Sequence, residues 1–285
     1  MSKKLVFLGM GGTIAGSSDS ASDNVGYRAG QVGVAQLLAA IPALKGALGE
    51  HEPVSEQVAQ LDSKDLEHRH WETLAMRTQH YLSMADVSAV VITHGTDTLE
   101  ETAFFISRVL PVELLRSKPV VLTCAMRPAS SSAPDGPQNV VDAVATALDC
   151  AARGVVVVCA GTVHSARDVQ KVHPYRVNAF DSGDCGPLGF VEEGTVRWVH
   201  PCGDAIMDAR DFPLEKLSPG PWPWIEIMVS HAGVSGNVVR ALCARPQGEM
   251  PRLAGIVVAG TGNGTIHQDL EAALRDAQKQ GVRVV

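Results

Sequence analysis

Four short apolar runs set the pattern of the first half of the chain: Leu5–Leu8 (LVFL), Val87–Thr93 (VSAVVIT), Val120–Cys124 (VVLTC) and Val155–Cys159 (VVVVC). A strand that is apolar at successive positions has no face to offer to water. Such strands belong in a parallel sheet covered on both sides by helices. Helical signals fall between them. Thr98-Leu-Glu-Glu101 has the spacing of a capping box with Thr98 as the cap, and the apolar run behind it stops at Pro111. Asp135-Gly-Pro137 opens a second helix with proline in its first turn. That helix carries Val140, Val144 and Leu148 on one face and is expected to stop at Gly154. The alternation predicts an α/β fold, a doubly wound and mostly parallel sheet.

The texture changes after Pro187. Phe190–His200 alternates like a hairpin, and Asp211–Pro223 holds Pro213, Pro219, Pro221 and Pro223 and reads as a linker. Strands at Ile225–Val229, Ile256–Ala259 and Val282–Val285 follow, with a helix over Gln268–Gln280. The expected organisation is an N-terminal domain over 1–203, a linker over 204–223 and a smaller C-terminal α/β domain over 224–285. Arg283-Val-Val285 leaves a strand with no helix after it, so a further C-terminal segment is expected.

Composition narrows the function. The 285 residues are 45% hydrophobic and 19% charged, which suits a globular domain of this class. With 24 basic against 31 acidic side chains the net charge is -7, and no basic block stands out, which argues against a nucleic-acid or membrane partner. The six cysteines, Cys124, Cys150, Cys159, Cys185, Cys202 and Cys243, show neither CxxC nor zinc-site spacing, so no metal site is expected. The apolar start ends at Leu8 in a glycine-rich loop, too short for a signal peptide, and a cytoplasmic protein is expected.

Three segments could carry chemistry. Gly9-Met-Gly-Gly-Thr13-Ile-Ala-Gly16 follows a strand directly. A dinucleotide loop would need glycine at position 14, where Ile14 stands. The other reading is a turn whose glycines bare the Thr13 hydroxyl to a substrate. Thr93-His-Gly-Thr96-Asp97-Thr98 also follows a strand, and would bring Thr96 and Asp97 to the same crevice. Arg167-Asp-Val-Gln-Lys171 offers a lysine, and a hydroxyl is a poor nucleophile until some group takes its proton. His94 and His164 lie close by and read as hydrogen-bonded structural residues.

Together GGTIAG, Thr93–Glu101 (THGTDTLEE), Ala125-Met-Arg-Pro128, Asp135-Gly-Pro137 and Arg167–Lys171 resemble the bacterial-type L-asparaginase/glutaminase family, collinearly and over essentially the whole chain. The resemblance implies an L-asparagine amidohydrolase that releases ammonia and L-aspartate through a threonine ester, with glutamine as a possible second substrate. Thr13 would be the nucleophile, assisted by Tyr27 from a flexible lid. Thr96, Asp97 and Lys171 would form a second triad that polarises a nucleophile or the deacylating water. Gly12, Gly95, Thr96 and Ala125 would line the substrate. Ser63 would hold its α-carboxylate and Asp97 its α-ammonium. Asn263 would come from a neighbouring subunit of a homotetramer, and no cofactor is implied. The family's C-terminal segment also supplies a glutamate to the neighbouring site, beyond Val285. Lys64 departs from the glutamine of many family members and would repel an ammonium unless it points away. An ammonia-channelling amidotransferase subunit and a non-catalytic amino-acid sensor are the competing readings.

Overall fold

A computed structural model describes residues 3–202, 212, 214, 221–244 and 252–285, so most of the linker segment, including Pro213 and Pro219, lies outside the described residues. The chain divides into two compact units, Met1–Leu217 and Ser218–Val285.

The first unit is built on strands β1 (Lys4–Gly11), β2 (Glu52–Leu61), β3 (Val87–Thr93), β4 (Val120–Thr123) and β5 (Val155–Cys159), all parallel. The sheet continues antiparallel through β6 (Thr162–Ser165), while β7 (Gln170–Lys171) and β8 (Phe180–Asp181) form a separate two-stranded pair. β9 (Gly189–Glu192) and β10 (Thr195–Trp198) close the far edge as a hairpin turned at Glu193 and Gly194, both at positive φ. The order across the sheet is β10-β9-β6-β5-β4-β3-β1-β2.

Two-sided burial explains the apolar runs. Leu5, Val6, Phe7 and Leu8 are all 0% exposed, yet successive side chains point to opposite faces. Leu5 and Phe7 pack under α1 (Val34–Ala39), α2 (Leu44–Leu48) and a helix over Gly136–Leu148. Val6 and Leu8 pack under α3 (His68–Leu82), α4 (Leu99–Val109) and α5 (Val112–Ser117). Each such side chain contributes about 1.5–3 kcal/mol by leaving water.

Details differ from the sequence expectation. The Gly136–Leu148 helix, α6, is capped at Asp149, earlier than Gly154, which takes positive φ ahead of β5. Thr98 stands at the N-cap of α4 but makes no capping bond, because its hydroxyl donates to the Ser63 carbonyl at 2.9 Å. Strand β2 is not among the apolar runs because it is an edge strand, half-exposed and carrying Glu52 and Glu56.

The second unit has a parallel sheet β11-β12-β13 from Trp224–Val229, Leu253–Ala259 and Arg283–Val284. Helices α7 (Asn237–Cys243) and α8 (Gln268–Lys279) supply Val239, Leu270 and Leu274 to its core around Ile256. Among the described residues no helix is long and apolar enough to cross a membrane.

Candidate active site

Strand order decides where a ligand binds. The chain leaves β1 toward β2 on one side and reaches β3 on the other, so the order β2-β1-β3-β4-β5 reverses at β1/β3. Loops leaving the carboxyl ends of strands part at such a point and open a crevice. Thr13 follows β1 and Thr96 follows β3, so they flank that point. Ser63 follows β2 and Ala125 follows β4 on either side.

The two central loops meet backbone to backbone. Gly12 has φ +79, and a Cβ there would lie 2.2 Å from Gly95 Cα. A side chain at either position would part the loops, since a Cβ on Gly95 would meet Ser63 Oγ at 2.5 Å. Thr13 opens a short 3-10 turn and is buried. Its Oγ1 lies 2.6 Å from the Tyr27 hydroxyl. Tyr27 is presented by a segment tied down through Ser17 N to Arg28 O and Arg28 N to Ser17 O, both 2.9 Å. Burial raises the Tyr27 phenol above its ordinary value, against the Thr13 hydrogen bond, with Asp62 and Asp97 adding to the rise. Tyr27 is therefore a neutral phenol at neutral pH.

In the second loop Lys171 Nζ donates to Thr96 Oγ1 at 2.9 Å and to Asp97 Oδ1 at 2.6 Å. Asp97 is about half exposed, at 49%, while Lys171 is 18% exposed, so the carboxylate is the more open end of the pair. Ser63 Oγ accepts from Asp97 N at 3.2 Å, which leaves the serine proton to give.

Beneath this loop runs a buried chain of hydrogen bonds. Trp71 Nε1 donates to Thr102 Oγ1 at 2.7 Å, and Thr102 Oγ1 lies 3.0 Å from His94 Nε2. The Gly95 carbonyl can only accept, so Nδ1–H of His94 donates to it at 2.7 Å, and in the neutral ring Nε2 is left to accept the Thr102 hydroxyl. His94 is thus a neutral donor that holds the peptide pressed against Gly12. Burial lowers its pKa to about 4, and that of His164, bonded to Ser182 Oγ at 2.8 Å, also to about 4. Unfolded histidine titrates near 6.5, so the unfolded chain takes up protons between pH 6.5 and 4 that the native one refuses. Stability is undiminished above pH 6.5 and is lost as pH falls toward 4, by about 3 kcal/mol for each histidine. Urea unfolding of wild type and His164→Asn at pH 7 and pH 4.5 should show the smaller acid loss in the variant.

Lys64 Nζ is held by Asp62 Oδ2 and Asp65 Oδ2, both at 2.9 Å. Ala125 is fully buried and begins a turn that Asp135 clamps, taking Met126 N at 3.0 Å and Arg127 N at 2.9 Å. The AMRP and DGP motifs are thus the two halves of one turn, a link invisible in either alone. Asn263 belongs to the second unit, exposed in a turn closed by Thr261 and Thr265. Glu100, which lies inside the Thr98–Glu101 pattern and has no role assigned from the sequence, accepts the Lys171 backbone N–H. Among the described residues no three of His, Cys, Asp and Glu are gathered to hold a metal ion.

The chain is similar to known proteins in sequence and in fold. The family model "Asparaginase, N-terminal" matches residues 4–202. L-asparaginase 2 of Escherichia coli (strain K12) is 37% identical over 283 residues, covering 99% of this chain and 76% of that protein. The glutaminase-asparaginase of Pseudomonas fluorescens biotype A is 35% identical over 284 residues, covering 99% of this chain and 74% of that protein. The crystal structure of a probable cytoplasmic L-asparaginase from Campylobacter jejuni superposes with a TM-score of 0.86 at 35% identity, over 99% of this chain and 82% of that one.

Proposed function

The chain belongs to the asparaginase family, and from that premise we propose that it is an L-asparagine amidohydrolase with Thr13 as its nucleophile. The observation that carries the reading is the pair of hydroxyls at the β1/β3 ends, Thr13 against Tyr27 and Thr96 against Lys171, in loops that touch. Each hydroxyl has a proton partner, and two anchors, the Ser63 hydroxyl and the Asp97 carboxylate, offer one contact for each charge of an amino-acid head.

Asparagine carries a carboxylate and an ammonium at one end and the amide at the other. The Ser63 hydroxyl receives the first and the Asp97 carboxylate the second, which aims the amide carbonyl at Thr13 Oγ. Orientation of this kind supplies on the order of 7–11 kcal/mol. As the O–C bond forms, the Thr13 proton moves onto the Tyr27 oxygen. A neutral phenol cannot keep a second proton, so Tyr27 gives its own to the departing nitrogen in the same movement, and ammonia leaves. Water then attacks the aspartyl ester, activated from the Thr96–Lys171–Asp97 side, and its proton returns to Thr13. Loop N–H groups near Gly12 and Gly95 stabilise the charge on the carbonyl oxygen.

Relatives named glutaminase-asparaginase make glutamine a second substrate to test. One methylene separates the two amides, worth about 1–3 kcal/mol in a pocket. A homotetramer with Asn263 reaching the neighbouring site, and a cytoplasmic setting for the six free thiols, belong to the same proposal. Ammonia release from L-asparagine and L-glutamine tests it. Turnover with asparagine faster than with glutamine is expected, and binding without ammonia release from either would replace the enzyme by a sensor.

A further inference from the structure

Lys171 lies outside the sheet that carries the rest of the site. Its strand, β7, has two residues and, among the described residues, pairs only with β8, where Lys171 faces Phe180. A lysine side chain is long and freely rotating, so Nζ stays at Thr96 and Asp97 only while its backbone is held. The holding contact comes from α4. Glu100 Oε2 accepts the backbone N–H of Lys171 at 2.5 Å, a charge-assisted bond between residues 71 apart in sequence. Glu100 is in the first turn of α4, and the loop entering that turn carries Thr96 and Asp97. One helix start therefore grips Lys171 twice, at Nζ through Thr96 and Asp97 and at the backbone through Glu100.

We propose that Glu100 is a positioning residue that sets Lys171 against Thr96 by anchoring its backbone. This rests on the proposed function for its kinetic consequence, but the anchor itself is independent of turnover. A carboxylate in a first helical turn also favours the helix dipole, and the variants separate the two roles. Glu100→Gln keeps an acceptor oxygen and loses the charge. Glu100→Ala loses both.

The experiment reads kcat, KM and amide hydrogen exchange in wild type, E100Q and E100A. The anchor predicts that E100A loses kcat by about 10- to 100-fold with KM within about threefold, as misplacement of a reacting group by an ångström costs. E100Q should stay within about fivefold of wild type. The Lys171 amide should exchange at least about tenfold faster in E100A than in E100Q. Equal kcat losses in both variants, wild-type kcat in E100A, or unchanged exchange in E100A each overturn the inference. An inactive wild type would sink the proposed function, while the exchange comparison would still decide the anchor.

Discussion

Thr13→Ala should leave a folded protein that binds asparagine and releases no ammonia from it. The covalent bond is proposed to form at this oxygen alone, so the loss in kcat should be at least about 10³-fold, the scale for removing a nucleophile. Binding should survive, because the proposed holders of the substrate head are Ser63 and Asp97, and the Thr13 hydroxyl bonds to Tyr27 rather than to either of them. Stability should survive as well. The side chain makes one hydrogen bond, to Tyr27, worth about 0.5–1.5 kcal/mol net. Thr13→Ser keeps the hydroxyl and should retain part of the rate. Ammonia release and calorimetric binding of asparagine check the pair, and a T13A protein with wild-type turnover would rule out this nucleophile.

Lys171→Met should be the second most damaging change. Methionine matches the length of the lysine stem and removes the charge and the donors, so Thr96 Oγ1 and Asp97 Oδ1 both lose their partner. A positioned proton-transfer group is worth about 10²–10⁴-fold, and a fall in kcat of that size is expected. The folded state should lose less than the rate does. Asp97 is 49% exposed and stays hydrated, but Lys171 is 18% exposed and Thr96 is buried, so the lost bonds should cost about 1–3 kcal/mol. Steady-state kinetics alongside a thermal melt distinguishes the two effects, and a large drop in melting temperature with little change in kcat would make Lys171 structural.

How much of this could be read beforehand depended on distance along the chain. The loops bearing Thr13 and Thr96 were legible because each follows an apolar run that only a doubly covered strand explains. Their juxtaposition was not, since it needs the sheet order, and β2, which creates the reversal at β1/β3, is a half-polar edge strand. Thr98 misled because a capping box is a local signal, and the Ser63 carbonyl, 35 residues away, takes the hydroxyl instead. Glu100 carries no local signal of its own, because its partner stands 71 residues on. The turn at Ala125 and the Asp135 carboxylate were separate motifs until the fold closed one over the other. Lys64 would repel an ammonium on sequence grounds, and the fold gives its charge two aspartate partners, Asp62 and Asp65.

The most direct test of the account is the mass of the protein stopped by acid during turnover of asparagine. One added aspartyl group on the peptide containing Thr13, absent from T13A, is the predicted result. An adduct on the Thr96 peptide, or turnover with no covalent species at any time, would contradict it.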